Sequence, residues 1–264
     1  MTVRIMGILN VTPDSFSDGG RLASAEAAVA AGRAMHRAGA AIVDVGGEST
    51  RPGAAPVPEA EELRRVLPVV EGLVAAGVPV SIDTMKPGVM RSAVAAGATM
   101  INDVTALTFA PESLSVAAES GADVVLMHMK GQPQTMQEAP AYADVVEEVV
   151  AYLAARIAAA EAAGIPRARI VADPGIGFGK GLAHNLALLR NLPRLHDLGV
   201  PLLLGASRKS LIPAIAGPAE PHDRLGGSLA LALQGAAAGA AWVRVHDVAE
   251  TAQALAVWSA VQAR

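Results

Sequence analysis

I-V-A-D-P-G-I-G-F-G-K-G, from Ile170 to Gly181, joins a short apolar run to a carboxylate and then to a turn rich in proline and glycine. Asp173 therefore stands at the C-terminal lip of a predicted strand. The turn behind it has a backbone that can approach a flat ligand closely. In isolation the stretch reads as a turn that contains an aspartate. Its weight comes from repetition, because short β-rich runs ending in polar residues alternate with long alanine-rich segments along the whole chain.

The predicted strands are Arg4–Asn10, Ala41–Val45, Pro79–Asp83, Met100–Asp103, Asp123–His128, Ile170–Asp173, Pro201–Ser207 and Trp242–His246. Helical spacing covers Ser24–Ala38, Glu59–Ala75, Pro87–Ala96, Glu112–Ser120, Ala143–Ala163, His184–His196, Gly226–Ala238 and Val248–Val261. Ser24 can cap the first helix, and glycines such as Gly39, Gly121 and Gly199 stand where helices should stop. Eight strand–helix units at roughly 30-residue spacing match a (β/α)8 TIM barrel in number and size. A doubly wound open sheet alternates in the same way but usually has fewer strands at this length. No linker or composition shift divides the chain, so a single domain over residues 1–264 is expected.

Composition narrows the function classes. Hydrophobic residues make up 52% and charged residues 17%, enough for a large core and far from a disordered composition. A net charge of -4 argues against a nucleic-acid or anionic-membrane surface. Trp 2, Tyr 2 and Phe 3 leave few rings for stacking bases. Cys 0 excludes disulfides and thiolate metal sites. The N-terminal apolar run is too short for a signal peptide, and no stretch approaches a membrane span, so a soluble, cytoplasmic protein is the expectation.

A barrel places its active site at the C-terminal ends of its strands. Polar residues gather there: Asn10, Asp44, Asp83, Asn102 with Asp103, His128, Asp173, Ser207 to Lys209, and Arg244 with His246. That register points to an enzyme. Asp83, Asn102 and Asp173 can accept hydrogen bonds from an amide-like or guanidine-like edge and return one donor, which fits a planar nitrogen heterocycle. They can equally pair with one another or cap the following helices. Arg244 and His246 alternate along the last strand and face one way, near the usual phosphate site of this fold, where an anion such as a diphosphate would sit. Arg208 reads more simply as an ion pair at the core edge. The loops Asn10 to Gly20 and Gly46 to Ala54 are rich in glycine and small hydroxyl residues, as lids tend to be, and Arg51 could complete an anion clamp.

Other motifs fail. G-I-G-F-G-K-G has neither the spacing of a P-loop nor that of the dinucleotide fingerprint, and H-E-x-x-H and G-x-S-x-G are absent. His36, His184, His196 and His222 lie in or beside helices and read as surface groups, so no zinc site is expected.

The motifs together resemble the dihydropteroate synthase family. The matching stretches are G-I-L-N-V-T-P-D-S-F-S-D-G-G (Gly7–Gly20), D-V-G-G-E-S-T-R-P-G-A (Asp44–Ala54), S-I-D-T-M-K-P (Ser81–Pro87) and I-N-D-V (Ile101–Val104). M-H-M-K-G-Q-P-Q-T-M-Q (Met127–Gln137), D-P-G-I-G-F-G-K (Asp173–Lys180), S-R-K-S (Ser207–Ser210) and R-V-H-D (Arg244–Asp247) continue the series in the family's order.

The resemblance implies a magnesium-assisted transferase of folate biosynthesis that joins 4-aminobenzoate to (7,8-dihydropterin-6-yl)methyl diphosphate. It assigns the pterin to Asp83, Asn102, Asp173, Lys209 and Phe178. Asn10 would contact the magnesium–diphosphate, with Thr50, Arg244 and His246 on the diphosphate. Phe16, Arg51, Pro52, Ser207 and Lys209 would shape the aminobenzoate site, which Phe178 helps complete. Arg51, Lys209 and Asp14 form the catalytic group, with Asp14 set to stabilise a developing cation. Gly175 to Gly179 would keep side chains clear of the ring, and Lys180 would lie nearer the outer end of its loop. A homodimer through the last helices is implied too. The alternatives are a pterin-dependent methyltransferase, which has no reason to keep the S-T-R-P loop and the R-V-H pair, and a pterin-binding paralogue without turnover.

Overall fold

The computed structural model describes residues 3–11, 21–49, 54–132 and 135–263, with residues 21–24 as backbone only. Eight parallel strands form one sheet: β1 (Arg4–Asn10), β2 (Ile42–Gly46), β3 (Val80–Asp83), β4 (Met100–Asp103), β5 (Asp123–Met127), β6 (Ile170–Asp173), β7 (Leu203–Leu204) and β8 (Trp242–Val245). Their order is β6-β5-β4-β3-β2-β1-β8-β7. An isolated parallel bridge from Ala172 to Leu202 brings β6 to β7 and closes the ring. The expected barrel is therefore present.

Alternation along the strands divides the barrel into layers. Met6, Ile42, Met100, Val125, Val171, Leu203 and Trp242 pack on one another from seven different strands, so they plug the interior. Two residues further along the same strands come Asp44, Asn102, Asp173 and Arg244, which share that inward parity one layer higher. The outward residues, such as Val43, Val80, Ile82, Ile101, Val124 and Ile170, pack under the helices in the main core. The plug is apolar and the layer above it is polar.

The helices are α1 (Arg21–Arg37), α2 (Glu59–Ala75), α3 (Pro87–Ala95), α4 (Ser113–Ser120), α5 (Val145–Ala162), α6 (Leu182–Arg190), α7 (Leu211–Ala216), α8 (Leu225–Ala237) and α9 (Val248–Gln262). Three differences from the sequence expectation have physical causes. The segment predicted as His184–His196 breaks into α6 and a 3-10 turn at Leu192–Leu198, because Pro193 cannot continue an α-helix. The last expected strand before β8 shrinks to Leu203–Leu204, since beyond it the chain turns into the loop carrying Ser207 to Lys209. The first helix begins at Arg21, which leaves Ser24 inside it and not at its cap. Among the described residues no helix is long and apolar enough to cross a membrane.

Candidate active site

The inward parity just described gathers residues far apart in sequence. Arg244, from β8, reaches across the barrel and donates from Nε to Asp44 Oδ2 at 2.6 Å and from Nη2 to Asp83 Oδ2 at 2.5 Å. Asn102 donates from Nδ2 to the same Asp44 oxygen at 2.9 Å. Asp44 is fully buried, so β2 supplies a hub to which the sequence reading gave no role. Its second oxygen, Oδ1, has no hydrogen-bond partner among the described residues.

One guanidinium thus faces two carboxylates. Burial, reinforced by the neighbouring Asp44 charge, outweighs Arg244 and lifts Asp83 to about 7. Against the opposing effect of burial, Asp44 and Asp83 hold Arg244 above its ordinary range, so Arg244 stays the cation. On β6, Asp173 is buried and accepts from Gly175 N at 2.7 Å. Burial raises Asp173 as well, although Gly175 N–H, Lys209 and Arg244 pull the other way.

The rim is built from the β6, β7 and β8 loops. Lys209 Nζ lies 3.9 Å from the centre of the Phe178 ring, a cation–π contact that places both predicted residues at one point. Ser207 Oγ lies 3.0 Å from His246 Nδ1 and accepts from His246 N at 3.3 Å. Between them Arg208 takes φ 57°. Its side chain pairs with Asp247, the edge ion pair expected from sequence, and its backbone is held by Ser228 and Arg224. Asn10 ends β1, partly exposed. Asp14, Phe16, Thr50, Arg51 and Pro52 lie outside the described residues.

Not every polar lip residue belongs to the bowl. Asp103 has the opposite parity to Asn102 and accepts from Thr105 N, Thr105 Oγ1 and Leu107 N, pinning a turn in which Ala106 and Leu107 have φ 52° and 61°. Burial lifts its carboxyl to about 6. Lys180 does not lie at the outer end of its loop; it is 2% exposed and bonded to His128. The loop glycines also have a nearer cause than clearance of a ligand ring. A Cβ on Gly175 would lie 2.0 Å from His128 O, and one on Gly179 would lie 2.2 Å from Lys130 O, at φ 67° and 62°. The β5 and β6 ends touch backbone to backbone, and only glycine permits it.

The root of the β2–α2 loop has an anchor that sequence reasoning missed. Lys86, the residue just before α3, pairs with both Glu48 and the fully buried Glu62. Arg65 holds Gly47 O at 2.9 Å, and Glu48 accepts from Val57 N at 3.1 Å. Burial works against the Lys86 charge, but the bonds to Glu48 and Glu62 prevail and raise it. Glu62 lies with Glu59 and Glu61 in the acidic first turn of α2, a pattern that carries no sign of burial in the sequence.

Fold and site together define a class: a (β/α)8 barrel enzyme whose bowl combines buried carboxylates and a carboxamide with a cationic rim, suited to a flat polar heterocycle and an anion. Sequence comparison narrows it. The pterin binding enzyme family matches residues 6–246. A dihydropteroate synthase of Escherichia coli K12 is 52% identical over 254 residues, 96% of this chain and 89% of that one. The solved structure of Xanthomonas albilineans dihydropteroate synthase with 4-aminobenzoic acid is 56% identical, with a TM-score of 0.94 over 100% of this chain and 94% of that one. The enzyme from the same organism in complex with 7,8-dihydropteroate gives 52% and 0.90, over 100% of this chain and 95% of that one. The chain belongs to the pterin binding enzymes and, within them, to the dihydropteroate synthase family.

Proposed function

We propose that the chain condenses 4-aminobenzoate with (7,8-dihydropterin-6-yl)methyl diphosphate, forming 7,8-dihydropteroate and diphosphate. The observation that carries this is the convergence of Asp44, Asp83, Asn102, Asp173 and Arg244 beneath the Phe178–Lys209 pair, in a chain similar over its whole length to a synthase solved with 4-aminobenzoic acid. Asp173 accepts from the donor edge of the pterin, with Asn102 and Asp83 beside it. Lys209 lies against the ring, over Phe178. In the reaction the methylene C–O bond to diphosphate breaks, the arylamine nitrogen forms the new C–N bond, and the amine proton leaves to solvent. The arylamine is neutral at pH 7, so positioning matters more than a general base.

Arg244, His246 and Thr50 are assigned to the diphosphate, and Ser207, Arg51, Pro52 and Phe16 to the aminobenzoate side. Asp14 is assigned to the cation developing on the methylene carbon. Among the described residues no three His, Asp or Glu side chains are placed to hold a metal. Asn10 offers one oxygen, which fits magnesium carried in on phosphate oxygens better than a resident ion. Such magnesium supplies charge neutralisation on the leaving diphosphate. Residues 1–264 act as one catalytic domain, in the cytoplasm, as a homodimer through α8 and α9, where Leu225, Leu229, Leu233, Val257, Trp258 and Val261 line an apolar groove.

The test supplies 4-aminobenzoate, the dihydropterin diphosphate and magnesium. Diphosphate and dihydropteroate should appear in equal amounts. A folded protein that binds pterin yet releases no diphosphate would instead be the paralogue without turnover.

A further inference from the structure

Lys180 is the single cation of the β6–α6 loop and is buried, and none of the assigned roles uses it. Its Nζ lies 2.8 Å from His128 Nδ1, 3.2 Å from His128 O, 3.0 Å from Gly175 O and 3.0 Å from Phe178 O. An ammonium has three N–H groups, so four acceptors at these distances saturate it. Two of them come from the end of β5 and two from the loop after β6. Asn185 adds to the enclosure by donating from Nδ2 to Lys180 O at 3.1 Å.

We propose that Lys180 is a positioning residue for the pterin end of the site, its Nζ tying the β5 end to the β6 loop so that Gly175 aims the Asp173 carboxylate and Phe178 sits beneath Lys209. The proposal rests on the reading of this bowl as a pterin site. The links are short and continuous. Gly175, whose carbonyl Lys180 holds, is the residue whose N–H donates to Asp173 Oδ1 at 2.7 Å. Phe178, whose carbonyl Lys180 also holds, carries the ring that Lys209 covers at 3.9 Å. A Cβ on Gly175 would meet His128 O at 2.0 Å, so the two segments Lys180 joins already touch. Without the ammonium, the carbonyls of His128, Gly175 and Phe178 would face one another with no shared donor.

The charge environment works against the Lys180 cation, which the surrounding acceptors must offset. Burial lowers Lys180 to about 7, with Asp173 opposing that shift and Lys209 adding to it. Burial, with Lys180 alongside, lowers His128 to about 3, so His128 is a neutral acceptor toward Lys180. A buried cation among carbonyls is costly to keep. A methionine or leucine would fill the volume more cheaply if packing were the only purpose.

The experiment is steady-state kinetics of Lys180→Met beside the unaltered protein, with folding checked by circular dichroism. The KM for the dihydropterin diphosphate should rise about tenfold or more, while kcat and the KM for 4-aminobenzoate change less than about threefold. An unchanged pterin KM, or a loss of kcat in step with both KM values, overturns the proposal. If Lys180→Met does not fold, Lys180→Gln, which keeps two N–H donors, takes its place under the same criteria. An unaltered protein with no turnover would defeat the synthase reading itself, a result distinct from a null effect of the variant.

Discussion

Arg244 holds two carboxylates from two other strands, and its loss would be felt in folding as well as in binding. The guanidinium is the one cation bonded to Asp44 and Asp83 among the described residues. Arg244→Ala leaves both buried without a cation, with only the Asn102 amide still donating to Asp44, and breaking a buried pair in this way costs about 3–5 kcal/mol. Urea unfolding at pH 7 should show a loss of that size, together with a weaker affinity for the dihydropterin diphosphate. A change under about 1 kcal/mol would mean the pair contributes little to the floor. Sequence reasoning placed Arg244 and His246 on one inward face, since alternation along a strand is local. It could not show that Arg244 meets Asp44 across 200 positions and Asp83 across 161. Those contacts depend on ring closure, a property of the whole sheet.

At the scale of elements, the β5 and β6 ends form one unit. Gly179 combines φ 62° with a Cβ position 2.2 Å from Lys130 O, and its carbonyl accepts from Tyr142 Oη at 2.8 Å. Gly179→Ala therefore meets a conformational penalty and a backbone clash together, about 2–5 kcal/mol in all. Gly121, at the end of α4, has φ 73° with nothing within 4 Å of a Cβ, so Gly121→Ala should cost only about 1 kcal/mol. Chemical denaturation of the two variants separates the terms, and equal losses would refute the clash. The strands and their polar lips were legible because apolar runs ending in Asp, Asn, Ser or Arg repeat along the chain. The purpose of the loop glycines was not, because the partner they touch belongs to another strand. Lys180 was misread for a related reason. A lysine beside glycines looks exposed until the β5 loop is laid over it.

On the scale of the whole molecule, α8 and α9 come last in the chain and leave an apolar groove of about 590 Å³ between them. Val257 and Val261 are 61% and 74% exposed on α9, one turn apart, with Trp258 beside them. Isolated apolar residues on a surface are ordinary, whereas a contiguous patch is where the proposed homodimer contact would form. A two-fold partner offering the same two helices would cover it, since an isologous contact needs a self-complementary face. The chain of 26.7 kDa should then sediment at about twice that mass at micromolar concentration. Val257→Arg combined with Val261→Arg places two cations in the proposed contact, where burying an unpaired charge is prohibitive. That double variant should sediment as a monomer while each chain keeps most of its activity, because the bowl opens at the C-terminal ends of the strands and these residues sit on the outer helical ring. An unaltered protein that sediments at the single-chain mass under these conditions would rule out the dimer and leave the groove without the partner assigned to it.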